Sequence, residues 1–271
     1  MKQKPSSHLT PKLFFAKKSL GQNFLVDPRV KQKIAAACEL NRKDVVLEIG
    51  PGQGSLTELI APHVDHVFVI EKDYQLVEQL PQRLNHSNIT IIHADVLQHP
   101  FESLPDNLKL IGNLPYNIAT PIIEKIIHYR RKFSTFYLVL QLEHGQRLAA
   151  QPSTKDYGSF TCFVQYYCDI KILFKIKSTA FRPMPKVESC FIRLNFLKQP
   201  RYAVKDERIL FNLIQKAFQQ RRKTIVNSLS RMIEKKKVEK ILKELNINLQ
   251  WRAENLSLED YVKIVNHLPS L

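Results

Sequence analysis

The chain has 271 residues, 44% of them apolar, and a formal net charge of +16, enough for one large domain, or one plus a small appendage, around a real core. No run of 18 apolar residues occurs and the first twenty residues lack a signal-peptide core, so a membrane span and a secretory leader are excluded as expectations and a cytoplasmic protein is anticipated. The four cysteines, Cys38, Cys162, Cys168 and Cys190, show no metal-ligand spacing and read as free thiols.

In chain order, residues 1–18 form a basic arm, followed by SLGQNFLVD and an amphipathic helical stretch, PRVKQKIAAACEL. The apolar run Val45 to Ile49 predicts a first strand. It stops at GPGQG, which holds three of the seven glycines of the chain, Gly50, Gly52 and Gly54, and an amphipathic run then begins. Glycine costs backbone entropy, so such a cluster marks a sharp turn or a close approach to a ligand. Strands are predicted at HVFVIE (66–71), ITIIHAD (89–95), KLIGNLPY (109–116) and FYLVLQLE (136–143). Helical patterns lie between them, at DYQLVEQLPQRL, broken by Pro81, and at TPIIEKIIHYRR. Alternating strands and helices predict an α/β parallel sheet with right-handed crossovers. Beyond Lys155 the pattern changes: KILFKIK and CFIRLNF read as an antiparallel strand pair at one end of the sheet, with STAFRPMPKVES between them. LKQPRYAVKDE (197–207) reads as a linker, and the remainder as helices at 209–233, 237–245 and 257–268. The boundaries expected are an arm at 1–18, a first domain at 19–197 and an all-α domain at 198–271.

The excess charge sits in two places. Residues 1–43 carry net +8, residues 201–240 carry net +8, and the middle of the chain is nearly balanced. Two basic patches, if they share a face, suit a polyanion, which points to nucleic acid. Arg221, Arg222 and Lys223, consecutive on the expected 209–233 helix, are the candidate RNA contacts.

The acids at the strand ends indicate a nucleoside. Glu71 lies about twenty residues past the glycine loop, where a carboxylate accepts hydrogen bonds from ribose hydroxyls. Asp95, at the end of the next strand, can take an adenine amine proton. The spacing GPGQGS puts Ser55 where the dinucleotide fingerprint needs a third glycine, so S-adenosylmethionine fits better than NAD. At the fourth strand end stands Asn113-Leu114-Pro115-Tyr116. It resembles the motif of methyltransferases that act on an exocyclic ring amine. Such an amine is a poor nucleophile, because its lone pair is delocalised. The Asn113 amide oxygen and the Leu114 carbonyl can accept both amine hydrogens and localise that pair. Pro115 fixes φ and has no N–H, and Tyr116 offers a face for a base. Phe181, in the proline-stiffened AFRPMPK loop, is either a core ring or the second face of a base clamp.

Taken together, SLGQNFL, LEIGPGQGSLT, GNLPYNI, FRPMPKVES, QRRKT and RAENLSLEDY resemble the small-subunit ribosomal RNA adenine dimethyltransferases over nearly the whole chain. The resemblance implies a Rossmann-like class I methyltransferase sheet and a small helical C-terminal domain. It also implies dimethylation, from S-adenosylmethionine, of two adjacent adenosines in the 3′-terminal hairpin loop of 16S ribosomal RNA. Four methyl groups are transferred, late in assembly of the 30S particle, by an enzyme expected to be monomeric and metal-free. By motif, Asn23, Leu25, Gly50, Gly52, Glu71, Asp95 and Asn113 match the family's cofactor positions, and Tyr116 and Phe181 its base-stacking pair. One departure is Leu142, where the family usually has Lys before Glu143. The nearest alternative is a 23S ribosomal RNA adenine methyltransferase of the macrolide-resistance type, which shares these motifs. RAENLSLEDY and the basic C-terminal stretch favour the small-subunit class.

Overall fold

Continuous apolar runs with little polar alternation are the mark of parallel strands covered on both faces. In the computed structural model, which describes residues 17, 20–115 and 118–268, they become one seven-stranded sheet. The strands are β2 (Val45–Ile49), β3 (His66–Glu71), β4 (Ile89–His93), β5 (Leu108–Asn113), β6 (Phe133–Gln141), β7 (Cys168–Ile176) and β9 (Ser189–Phe196), in the order β4-β3-β2-β5-β6-β9-β7. The first five pair in parallel, and β9 joins antiparallel to both β6 and β7. The expected α/β class and the antiparallel pair at one end are both present. The chain order reverses at β2, which has β3 on one side and β5 on the other, and the carboxyl edge there is where open α/β sheets bind ligands.

The sheet sorts its side chains by alternation. Val46, Val67, Val69, Ile111, Tyr137 and Val139 face one cluster with Ile34 of α1 (Pro28–Ala37) and Leu80 of α3 (Tyr74–Arg83). Leu47, Ile49, Leu110, Phe136 and Leu138 face the other, with Ile122, Ile123 and Ile126 of α4 (Ala119–His128). That second cluster continues through α6 (Ser159–Tyr167) into α7 (Glu207–Phe218), α8 (Ile225–Leu229), α9 (Lys235–Glu244) and α10 (Leu258–His267). All four cysteines are free and buried.

Several elements differ from the sequence reading. Pro81 does not break α3: it sits in the last turn, and the helix ends two residues later, so little of the ladder downstream is lost. The third strand stops at His93, leaving Asp95 two residues beyond it. The fourth stops at Asn113, so Leu114 and Pro115 lie in the loop that follows. The fifth stops at Gln141, and Leu142 opens α5 (Leu142–Leu148). Leu142 packs partly buried against the apolar core, and its N–H bonds the Glu188 carbonyl at 2.9 Å, so the position serves packing in this chain. Within α5, Gly145 lies against β9: a Cβ there would collide with the Cys190 sulfur.

The expected helix 209–233 is two helices. α7 ends at Phe218, and Thr224 starts α8 by accepting the Asn227 N–H, so Arg221, Arg222 and Lys223 lie in the turn between them rather than on a helix. The loop expected at 177–188 contains β8 (Phe181–Arg182), which pairs with β1 (Phe24–Leu25) in a separate two-stranded sheet. This pairing fastens the segment before α1 across the edge of the main sheet.

Candidate active site

A cavity of about 510 Å³ opens at the carboxyl edge between β2 and β5. Gly50, Gly52 and Gly54 line or support its floor, all with positive φ, at 66°, 59° and 79°. At Gly52 the need is double. The backbone is left-handed, and a Cβ would stand 2.9 Å from the Phe24 ring. The glycine loop therefore lets the 23–25 segment close directly over it, so Asn23 and Leu25 line the same cavity as Gly50 and Gly52.

Glu71, the last residue of β3, is buried to 7% exposure. Its two oxygens accept from the backbone N–H groups of Asp73, at 2.8 Å, and Gly52, at 3.3 Å. Burial raises its pKa, opposed by those N–H bonds and that of Lys72. These bonds do not use all the acceptor sites of a carboxylate, so Glu71 is aimed and still able to accept a ligand hydroxyl. Asp95 lines the same cavity. Lys72 bonds it at 2.7 Å and the Leu97 N–H at 2.9 Å, and the Lys72 bond is the main cause of its lowered pKa.

Asn113, Leu114 and Pro115 complete the wall. Asn113 donates its Nδ2 to the Asn23 carbonyl at 3.0 Å. An amide has one donor end and one acceptor end. With Nδ2 committed, Oδ1 is left for a substrate amine, and it accepts no hydrogen bond among the described residues. Tyr116 lies outside the described residues. Phe181, anticipated as its stacking partner, is placed differently: the ring is 0% exposed, packed with Ile176, Ala180 and Phe191, and Leu25 is its strand partner. The β1–β8 pairing seals it, so the ring presents no face to the cavity.

Two acids were missed in the sequence. Glu48 interrupts the apolar run of β2, lines the cavity and accepts the Thr57 hydroxyl at 2.6 Å. Burial lifts its pKa to about 7, against the bond from Thr57, with the Glu71 charge adding to the rise. An isolated acid in a buried strand was the available signal. Asp73 caps α3 and accepts from Lys17 Nζ at 2.6 Å and Gln22 Nε2 at 3.0 Å. Burial raises its pKa, but the bonds from Lys17, Gln22 and the Gln75 N–H outweigh that and leave it lowered. Asp73 thus ties the segment before β1 to the Glu71 turn. Nothing local in the sequence announces that contact.

The cradle fits a nucleoside cofactor: Gly52 and Gly54 too crowded for side chains, a buried carboxylate at the end of β3 and a second acid, Asp95, in the same cavity. If Glu71 accepts the ribose hydroxyls of the cofactor, Glu71→Ala removes their acceptor. Hydrogen bonds to charged groups are worth ~1.5–3 kcal/mol each before water compensates, so calorimetry should show S-adenosylmethionine affinity at least tenfold weaker. Unchanged affinity in a folded variant would reject the ribose assignment.

Of the charged groups expected to meet RNA, Arg221 is engaged internally. It donates to the carbonyls of Lys155, at 3.0 Å, and Tyr157, at 3.2 Å, and lies 3.6 Å from Glu254. Arg222 and Lys223 are exposed and pair with no carboxylate among the described residues. No group of His, Cys, Asp or Glu that could hold a metal ion occurs among those residues, and no described helix is long and apolar enough to cross a membrane.

Comparison with known proteins agrees with this geometry. The family model described as ribosomal RNA adenine dimethylase matches residues 14–269. Ribosomal RNA small subunit methyltransferase A of Clostridium botulinum (strain ATCC 19397 / Type A) is 40% identical over 252 residues, covering 91% of this chain and 92% of that protein. The protein of the same name from Clostridium acetobutylicum is 40% identical over 256 residues, covering 93% of each. Among solved structures, a dimethyladenosine transferase from Plasmodium falciparum superposes with a TM-score of 0.79 at 25% identity, over 89% of this chain and 95% of that one. The 23S rRNA methyltransferase ErmE gives 0.72 at 27%, over 90% and 98%. The chain is a methyltransferase belonging to the ribosomal RNA adenine dimethylase family.

Proposed function

We propose that this protein transfers methyl groups from S-adenosylmethionine to the exocyclic amines of two adjacent adenosines in the 3′-terminal hairpin loop of small-subunit ribosomal RNA. Four methyls are transferred in all, late in 30S assembly, and the protein acts as a monomer. The observation that carries this reading is the Asn113 amide, fixed by its bond to the Asn23 carbonyl, with Oδ1 accepting no hydrogen bond among the described residues, at the cavity that also holds Glu71 and the glycine loop. The bound cofactor supplies an electrophilic methyl group. Gly50, Gly52, Glu71 and Asp95 hold it, and Asn23 and Leu25 close over it. Asn113 Oδ1 and the Leu114 carbonyl accept the two amine hydrogens and turn the nitrogen lone pair toward the methyl, stabilising the charge that develops on nitrogen. No side-chain base is required, since the methylated amine is acidic enough to lose its proton to water.

Because Asn113 acts on the developing charge, Asn113→Ala should lower turnover on the order of a hundredfold while leaving RNA affinity nearly unchanged. Equal losses in both would make it a docking residue. The C-terminal helices (198–271) are read as the RNA-binding part, with the turn at 221–223 as a footing. Arg221→Ala combines loss of charge with loss of two carbonyl contacts, so the informative variant is Arg222→Gln with Lys223→Gln. It should weaken RNA binding and flatten the log-salt slope by up to about two units, with cofactor affinity unmoved. A slope retained in full would assign these groups to the solvent.

The fold likeness to ErmE supports a second reading, action on 23S rather than 16S RNA. The relatives named for the small subunit, at 40% identity, favour the first. Incubation with methyl-labelled cofactor and either undermethylated small-subunit particles or 23S RNA decides between them. Label in two adjacent adenosines of the small-subunit hairpin is expected, and label in 23S RNA alone would replace the proposal.

A further inference from the structure

A second cavity, of about 660 Å³, lies outside the cofactor site. It is walled by α4, the end of β6, α5, α6 and α7, and none of its residues has a role in the chemistry above. One wall is aromatic. Phe160 and Phe163, one helical turn apart on α6, have ring centroids 6.1 Å apart and planes 21° from parallel. His144 lies 6.3 Å from Phe160 on one side, and Phe211 of α7 lies 5.1 Å from Phe163 on the other. These rings are half-buried rather than sealed. The lining also carries Glu124, Gln141, Asn212 and Gln215, the last two on α7 beside Phe211; all but Gln141 are exposed, and their side-chain oxygens and nitrogens make no hydrogen bond or ion pair among the described residues. Arg147 is held on the rim by Glu143 at 3.2 Å.

The place of this cavity matters as much as its lining. Asn113 pairs in register with Val139 of β6, and Gln141 stands two residues further along that strand, a step of about 7 Å. On the other side, Ile118 and Ile122 line the cofactor cavity, while Thr120 and Glu124 of the same α4 turns line the second one. The two cavities are neighbours, lined from the two sides of the first half of α4.

Aromatic faces beside unengaged amides and a carboxylate are what recognition of an unpaired base requires. The ring takes the π-face, which every base has, and the amides and carboxylate read the hydrogen-bonding edge. We propose that this cavity holds an unpaired nucleobase of the RNA substrate, flanking the adenosine that enters the catalytic cavity, with Phe160 as the stacking platform. This rests on the reading of the protein as an RNA adenine methyltransferase. It adds a second base-binding site to that reading and explains how an RNA loop with its target adenosine extruded is held on both sides of α4.

The test is steady-state methylation of undermethylated small-subunit particles by Phe160→Ala and Phe160→Trp. Phe160 packs partly buried against the core, so each variant is assayed well below its own measured melting temperature. Loss of one base stack should raise KM for the particle about tenfold, with kcat and cofactor affinity near wild type. Phe160→Trp, which retains a face, should recover most of the loss. The log-salt slope of RNA binding should stay unchanged, since a stack releases no counterions. An unchanged KM in Phe160→Ala, as an apolar peptide occupant or a purely structural wall would give, overturns the second site while leaving the methyltransferase reading intact. A flattened salt slope would mean that the cavity meets phosphate rather than a base, and overturns it as well. Absence of methyl incorporation by the wild-type protein would overturn both.

Discussion

Replacing Phe181 by alanine should lower stability by ~3–5 kcal/mol, the range for removing a large aromatic ring from a packed core. For a chain of this size that corresponds to a melting temperature lower by roughly 10 °C. The ring has no exposed surface, and Leu25 pairs beside it. Its loss leaves a void in the cluster that also holds Ile176, Ala180 and Phe191. β1 also carries Phe24 over the glycine loop, so cofactor affinity should weaken in the same variant. The measurement is thermal unfolding beside single-turnover methylation well below the transition. An unchanged melting temperature with slowed methylation would return Phe181 to the role of a base-stacking face, with the β1–β8 pairing opening to admit the substrate.

The second large effect concerns pH. Glu48 is 3% exposed and its pKa is raised to about 7 from an ordinary 4.5, mainly by burial. A carboxyl that is harder to ionise when folded favours the folded state while protonated. Its contribution is complete below the unfolded pKa and is lost as pH rises through the folded one. The cofactor-free protein should therefore lose up to about 3 kcal/mol between pH 4.5 and pH 8 from this group alone. Glu48→Gln keeps an acceptor for the Thr57 hydroxyl and carries no charge. It should be the more stable protein at pH 8, with the gap closing toward pH 5. Parallel pH profiles of the two proteins would show that Glu48 is ionised in the free enzyme at neutral pH and contributes nothing of this kind.

What the sequence revealed follows the physics of each element. The strand cores of β2, β3, β5 and β6 were legible because strands buried on both faces are runs of apolar residues that few other structures tolerate. Their ends were less legible: Asp95 and Leu114 look continuous with the runs before them, and only hydrogen bonding shows where pairing stops. The pair β1–β8 was invisible, since two-residue strands carry no period and their partnership is tertiary. α6 was missed because SFTCFVQYY is rich in aromatic and β-branched residues, which suit a strand equally well. The break between α7 and α8 was hidden by an apolar period that resumes in phase. The signal was Thr224, a residue whose side chain can start a helix as readily as sit within one. Gly50, Gly52, Glu71, Asp95 and Asn113, which line one cavity, were legible as candidates because each sits at or just past a predicted strand end. Asp73 and Glu48 depend on what surrounds them, and a spacing rule has no access to that.

The contact between Gly145 and Cys190 has a consequence for how this chain can change over time. Alanine is the better helix former by about 1 kcal/mol, yet at position 145 its methyl would meet the Cys190 sulfur across the α5–β9 packing. A mutational path that starts at 145 therefore runs uphill, through an overpacked intermediate costing ~1–3 kcal/mol. A path that first trims position 190 removes that collision and leaves only the 3.3 Å approach to Ile192 Cγ2, which a shift of a few tenths of an ångström relieves, so alanine at 145 can then be gained. The two sites are joined by sign epistasis: the same substitution is harmful or beneficial according to which came first.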